Sequence, residues 1–294
     1  MKGFLSIQEF SKLSGIEAST LRYWDDIGVF PPVKRNSQNF YRYYSLMQII
    51  SVKFITVMSE LSVSLKMIND IEHERNPEKI VNLIEQQEKL LDMEMKRLQE
   101  CHSIIHTRRE YIYYGMRVVN GYTAVNGVRM DSSYTGTDGE KVNLHSIAIL
   151  YRQEAAYILG PRNEFNEDEN FYGPFTNFCQ KANEYRINLC FPIGGYYDSI
   201  ESFMEKPSKP DYFISMDPSG NRIRKAGKYL VGFSRGFYFE HDDLPERMMK
   251  YMKEKSLKVT GPVYAVCLHD ETCIEDPSQY VSQVCVAVSD QNDG

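Results

Sequence analysis

The 294-residue sequence predicts an α+β chain in three parts: a helical head with a small β-wing, one long helix, and a C-terminal half that uses a strand-helix-strand-strand pattern twice. Three observations carry this. Two basic-aromatic clusters, Thr20-Leu21-Arg22-Tyr23-Trp24 and Tyr41-Arg42-Tyr43-Tyr44, stand about twenty residues apart near the N-terminus. Apolar residues recur at a seven-residue interval from Ile84 to Ile112, and a 73-residue shift maps part of the C-terminal half onto itself.

In the head, Ser6-Ile7-Gln8-Glu9 fits a capping box, in which a hydroxyl and a carboxylate satisfy orphan amides, so a helix starts near Ile7. Ile7, Phe10 and Leu13 give it an apolar side, and Ser14-Gly15 ends it with a residue able to take positive φ. A second helix from about Ala18 to Ile27 places Ala18, Leu21, Trp24 and Ile27 on one side and Ser19, Arg22, Tyr23 and Asp26 on the other. An exposed arc of hydroxyl, guanidinium and phenol suits a recognition helix, because Arg grips guanine or phosphate in a fork and Tyr reaches backbone oxygens. Gly28-Val29-Phe30-Pro31-Pro32 stops the helix, Lys34 to Asn39 reads as a polar turn, and Phe40 to Tyr44 reads as an aromatic strand. The candidate DNA contacts are therefore Ser19, Thr20, Arg22 and Tyr23 on the helix, and Lys34, Arg35, Tyr41, Arg42 and Tyr43 on the wing. Ser45 to Gln48 fits another capping box, opening a helix to about Leu61, and a short helix follows from about Leu65 to His73.

Ser6-Ile7, Leu21-Arg22-Tyr23-Trp24-Asp25, Ile27-Gly28, Phe30-Pro31-Pro32 and Tyr41-Arg42-Tyr43-Tyr44 stand in the order and spacing of the MerR family of bacterial transcription regulators. Residues 1–75 thus resemble that family's winged helix-turn-helix DNA-binding domain. Trp24 departs from the usual Tyr, on the side expected to pack. Residues 1–53 hold seven Lys/Arg against four acids, a local +3 in a chain of net charge −6. That balance excludes a broad nucleic-acid coat and leaves a small basic footprint, which needs two copies for affinity.

From Pro77 to about Tyr114 nothing breaks a helix, and Pro77 sits in the first turn, where Pro is tolerated. Ile84, Leu91, Leu98, Ile105 and Ile112 repeat as one edge of a coiled-coil seam, whose alternate positions are Gln87, Glu94, Cys101 and Arg108. A long core helix of one globular domain is the alternative. The MerR resemblance implies a dimerisation helix, paired antiparallel, over residues 76–115. A two-fold dimer would present two recognition helices to a pseudo-palindrome.

Residues 116–142, rich in Gly, Asn, Ser, Thr and Asp, read as linker and irregular loop. Beyond them, Tyr157-Ile158-Leu159 shifts onto Leu230-Val231-Gly232. Phe171, Phe175, Phe178 and Cys179 shift onto Leu244, Met248, Tyr251 and Met252, both sets with the i, i+4, i+7, i+8 spacing of an amphipathic helix. Strands over 189–198 and 212–216 complete the first copy, and strands over 263–269 and 280–288 the second. Two such units related by a pseudo-two-fold axis make a concave, mostly antiparallel sheet with a cleft. Lys225-Ala226-Gly227-Lys228-Tyr229, the helix from Leu244, and Thr260-Gly261-Pro262-Val263-Tyr264 resemble the GyrI-like effector domain of multidrug-sensing MerR members, over residues 143–294.

With 21 Tyr and 15 Phe in the chain, an aromatic-lined cleft for flat apolar or cationic ligands is expected. Its candidate rings are Tyr172, Tyr197, Phe233, Phe237 and Tyr264, with core roles for Phe171, Phe175 and Phe178. The resemblance also implies a Glu after the Tyr of Pro-x-Tyr-Glu to neutralise a cationic ligand. Here that position is Ala265, so Glu201 or Glu240 would have to serve, or a neutral or more polar effector is bound.

Six Cys without a Cys-x-x-Cys or a His at zinc-finger spacing argue against a metal centre; Cys267, His269 and Cys273 read as ordinary residues of a half-buried strand and its flank. No cofactor is expected. The rival reading is a hydrolase built on the C-terminal cleft, with Glu201, Glu240, His241 and Asp242 as candidates, but no nucleophile-base pair has a recognisable spacing. A purely architectural DNA binder is disfavoured by the repeat and its aromatic load. No leader and no run of about 18 apolar residues occur, so a cytoplasmic protein is expected. The expected partners are promoter DNA, a second copy of the chain, RNA polymerase on the same promoter, and an aromatic or lipophilic effector, a lipophilic cation among them. The expected function is a ligand-responsive transcription activator that distorts its promoter.

Overall fold

The computed structural model describes residues 4–73, 76–123, 134–136, 141–165 and 171–290. The chain divides into two compact units, 1–98 and 99–294.

The first unit contains β1 (Phe4–Ser6), α1 (Ile7–Ser14), α2 (Ala18–Asp26), β2 (Lys34–Arg35), β3 (Arg42–Ser45), α3 (Gln48–Glu60), α4 (Leu65–His73) and the start of α5 (Pro77–Asn120). The capping box forms as read: Glu9 N donates to Ser6 Oγ at 3.3 Å and Ser6 N donates to Glu9 Oε2 at 2.8 Å. Gly15 ends α1 at φ 73°, a left-handed conformation that glycine adopts without a Cβ clash. Leu21 and Trp24 are buried with Phe10, Phe30 and Tyr44, and the Phe10 and Tyr44 rings stack at 4.8 Å. The family departure at Trp24 therefore lies in the core.

Three local expectations change. Strand β1 pairs with β3, giving a sheet of order β1-β3-β2 rather than a lone wing hairpin. Lys34 and Arg35, expected in a turn, are strand residues opposite Tyr43 and Arg42. Helix α3 starts from Met47 without a side-chain cap; Gln48 accepts from Ser45 N at 3.0 Å and its amide donates to Pro31 O at 2.9 Å, so only half of the second box forms.

The second unit contains the end of α5, then β4 (Tyr122–Thr123), β5 (Tyr134–Gly136), β6 (Lys141–Val142), β7 (Ile147–Arg152), β8 (Ala155–Arg162), α6 (Tyr172–Gln180), β9 (Ile193–Tyr197), α7 (Ile200–Glu205), β10 (Tyr212–Ser215), β11 (Arg222–Arg224), β12 (Gly227–Arg235), α8 (Leu244–Glu254), β13 (Leu257–His269) and β14 (Val281–Asp290). Helix α5 continues to Asn120, past the expected boundary at residue 115, and most of the segment read as linker lies outside the described residues.

The sheet order β11-β8-β10-β9-β13-β14-β12-β7-β5 contains the repeat as a palindrome, β8-β10-β9 facing β13-β14-β12, with Gly195 opposite Ala265 at the join. Helices α6 and α8 lie on the same face, each over a glycine. A Cβ on Gly160 would stand 2.6 Å from the Phe178 ring, and one on Gly232 would stand 2.5 Å from Leu244 Cδ1.

The sheet must curl. Strands β11 and β12 are first and seventh in order, about 29 Å apart if flat at the usual strand spacing. Yet only Lys225 and Ala226 join Arg224 to Gly227, a reach of about 11 Å. The curl encloses the face without α6–α8: Tyr157 of β8 meets Tyr264 of β13 with ring centroids 5.6 Å apart, although two strands separate them. The result is a half-barrel with two cores. The outer core holds Tyr197, Phe203, Phe213, Leu244, Met248 and Ala265 beneath the helices; the inner core holds Tyr157, Tyr229, Phe233, Tyr264 and Cys285 with Tyr114 and Val118 of α5.

Candidate DNA interface and effector cavity

On α2, Ser19, Arg22 and Tyr23 are exposed and Thr20 is half-buried. On the wing, Lys34, Arg35 and Tyr41 are exposed, while Arg42 and Tyr43 are half-buried. The two clusters are joined by Asp25, whose carboxylate is buried. It accepts from Arg35 Nη2 at 2.6 Å and from Arg42 Nε at 2.5 Å, and Arg42 Nη2 donates to Asp26 at 2.8 Å. Arg42, expected to grip phosphate, is held by two acids of α2 and fixes the wing to that helix. Burial pushes the Tyr44 phenol behind this pair up to about 12. Asp25 was legible only as part of a family pattern, since nothing local marks a carboxylate as the tie between two elements.

The seven effector candidates do not form one site. Tyr264 and Phe233 lie in the inner core, Phe233 fully buried with its ring 6.0 Å from Tyr114. Tyr197 is fully buried on the opposite face, its hydroxyl donating to Pro207 O, because consecutive strand residues alternate sides. It is a core residue. Tyr172 and Phe237 belong to a separate aromatic cluster with Phe171 and Tyr238. Glu201 is exposed in the first turn of α7, its carboxyl lowered by Ser199; Glu240 is exposed and accepts from Phe237 N at 3.2 Å. Neither acid reaches Tyr264's surroundings. Ala265 faces the outer core, so a carboxylate there would point away from Tyr264.

What the fold does bring together are the two GyrI-like segments. Lys225 to Tyr229 on one side and Thr260, Gly261, Pro262 and Tyr264 on the other line a cavity of about 430 Å³, closed by Ile223, Ala287 and Val288. That volume is in the range of small-molecule sites. Burial first, and Tyr157 second, push the Tyr264 phenol well above its ordinary range, so it stays a donor. Beside the cavity Arg224, 4% exposed, lies over the Tyr229 ring at 5.3 Å; its Nη1 stands 3.7 Å from Cys285 Sγ and its Nη2 donates to Gln153 O at 3.1 Å. Arg152 is also buried there and donates to Gln283 at 2.7 Å. Burial, then the neighbouring Arg224 charge, brings the Arg152 guanidinium down to about 10. Tyr229 and Arg224 were within reach of sequence reasoning, because they sit in or next to a segment it singled out.

The end of α5 completes this inner core. Gln283 Nε2 donates to Tyr114 Oη at 2.9 Å, His269 Nε2 lies 3.0 Å from Ile112 O, and Arg108 pairs with Asp270 at 2.8 Å. Arg108, expected at a coiled-coil seam position, is therefore engaged within its own chain. Among the hydrolase candidates, His241 shares a 3.0 Å hydrogen bond with Ser234, but both are buried and burial holds the imidazole down to about 3. Phe203 and Phe239 pack on it. Among the described residues, no three His, Cys, Asp or Glu side chains group to hold a metal ion, and no helix is long and apolar enough to cross a membrane.

Comparison with known proteins agrees with this division. Residues 5–74 match the model of the MerR HTH family regulatory proteins. The chain is similar to two regulators from Bacillus subtilis (strain 168): the multidrug-efflux transporter 2 regulator, 22% identical with 99% of this chain and 98% of the relative covered, and the multidrug-efflux transporter 1 regulator, 23% identical with 91% of each covered. Among solved structures it is similar to the EcmrR protein in its cryo-EM complex with DNA, at 15% identity and TM-score 0.35, covering 97% of this chain and 100% of that one. Residues 5–74, the module that ends with α4, thus match the MerR HTH family regulatory proteins, and over its whole length the chain is similar to regulators.

Proposed function

We propose that this regulator acts as a homodimer on a pseudo-palindromic promoter and distorts that DNA when an aromatic or lipophilic small molecule fills the cavity between Lys225–Tyr229 and Thr260–Tyr264. The cavity is the observation that carries the reading: it is small, aromatic, and shares its core with the last turns of α5. A ligand that moves Tyr229 or Tyr264 acts on the inner core that also holds Tyr114, and so biases the helix that leads toward the DNA-binding unit. Such a bias requires unequal affinity for the two conformers. Bending or untwisting a promoter costs a few kcal/mol, which ligand binding offsets. The names of the Bacillus subtilis relatives, regulators of multidrug-efflux transporters, support a drug-like effector; the activating role is part of the proposal. RNA polymerase on the same promoter and a cytoplasmic location follow from that role.

Arg22 and Tyr23 read bases, with Ser19 and Thr20 beside them; Lys34, Arg35, Tyr41 and Tyr43 meet the backbone. The exposed apolar residues Leu90, Leu91, Met95, Leu98 and Ile105 of α5 support the dimer, since a stripe of that length is covered in a two-fold pair. Two substitutions separate the halves of the proposal. Arg22→Ala abolishes operator binding at physiological salt with the dimer intact, read by gel shift and light scattering. Tyr264→Ala leaves operator binding intact and weakens effector-dependent transcription from the cognate promoter. An Arg22→Ala protein with full operator affinity removes α2 as the recognition helix, and unchanged effector titration in Tyr264→Ala removes the cavity.

A further inference from the structure

Resting on the effector reading above, the geometry points to the charge of the ligand: we infer that this cavity takes an aromatic molecule bearing an anionic group of the carboxylate type, received by Lys225 and Lys228 in the lining, with the Arg224 charge behind the Tyr229 wall. The described lining contains two lysines and no carboxylate. Arg224 stands immediately behind it, nine-tenths buried or more, with a guanidinium whose Nε has no hydrogen-bond partner and whose Nη1 has only a thiol. A buried guanidinium whose donors are incompletely matched favours a negative charge nearby. The Tyr229 ring under Arg224 ties that cation to the cavity wall.

Tyr264 is held protonated by burial and by its hydrogen bond to Tyr157, and its ring and that of Tyr229 supply a flat apolar face for the aromatic part of the ligand. A cation entering the same space would find those rings but would also meet Lys225, Lys228 and, one layer deeper, two guanidiniums. Like charge disfavours it, the solvent-screened lysines less than the buried guanidiniums. The acids expected to receive a cation, Glu201 and Glu240, face solvent elsewhere.

The test titrates the full-length protein by calorimetry with three probes of one shape: naphthalene-2-carboxylate, naphthalene-2-carboxamide and 2-naphthylmethylammonium. The carboxylate is expected to bind at least about tenfold more tightly than the ammonium. In a Lys225→Gln/Lys228→Gln double variant, whose sites are exposed and leave the core untouched, the carboxylate-to-carboxamide affinity ratio should fall about tenfold. Arg224→Gln, checked for folding by thermal melting, should lower the same ratio. If the ammonium binds as well as the carboxylate and Tyr264→Ala still weakens it, the charge assignment is wrong and the effector cavity stands. If none of the three binds, both are overturned.

Discussion

The Asp25 carboxylate ties α2 to the wing through Arg35 and Arg42, and its burial makes that tie sensitive to removal. Asp25→Ala leaves two guanidiniums facing each other without their anion. Because both are partly solvated, the expected cost is about 2 kcal/mol, less than for a fully buried pair. Urea denaturation reads that loss, and operator affinity falls with it because the wing is no longer held. His241 offers a second residue-scale measurement. Its folded pKa, about 3, lies below the ordinary value of 6.5, so the folded state binds fewer protons than the unfolded state between those values. The contribution is intact above pH 6.5 and is lost as pH falls toward 3, at a slope approaching about 1.4 kcal/mol per pH unit. In His241→Leu that part of the acid slope disappears; an unchanged slope would place the acid sensitivity elsewhere.

Among the elements, α5 changes character along its length. Through Leu90, Leu91, Met95 and Leu98 its apolar side faces outward, whereas from Arg108 it is bound by Asp270, His269 and Gln283. The heptad pattern reads straight through this change, because an apolar residue at a seven-residue step looks the same whether its partner is a second chain or the chain's own sheet. Leu91→Glu with Leu98→Glu places charge in the outward stripe and is expected to give monomers at micromolar concentration by light scattering. The effector unit should melt as before. A dimer that survives the pair would assign the stripe to another partner. The helices α1, α2 and α4 were legible from caps, breakers and periodicity, which act within a turn or two of the residues concerned. Strand β1 was not, since three residues carry no alternation to read and owe their strand to β3.

For the whole molecule, the 73-residue repeat gave the order of strands and helices in each copy, and the palindromic sheet bears it out. The sequence by itself determined what is local or periodic: the capped start of α1, the basic-aromatic clusters, the long helix, and the doubled strand-helix-strand-strand unit. Tertiary structure decided which aromatic rings share a surface. Tyr197 and Tyr264 were equal candidates in the sequence, yet sheet alternation puts one under α7 and the other inside the curl. It also decided the cavity's electrostatics, because Arg224 reaches Cys285 only when a short link forces the first and seventh strands together. Local propensity is set by neighbours in the chain, while burial and charge at a site are set by residues far apart in sequence that chain closure brings into contact.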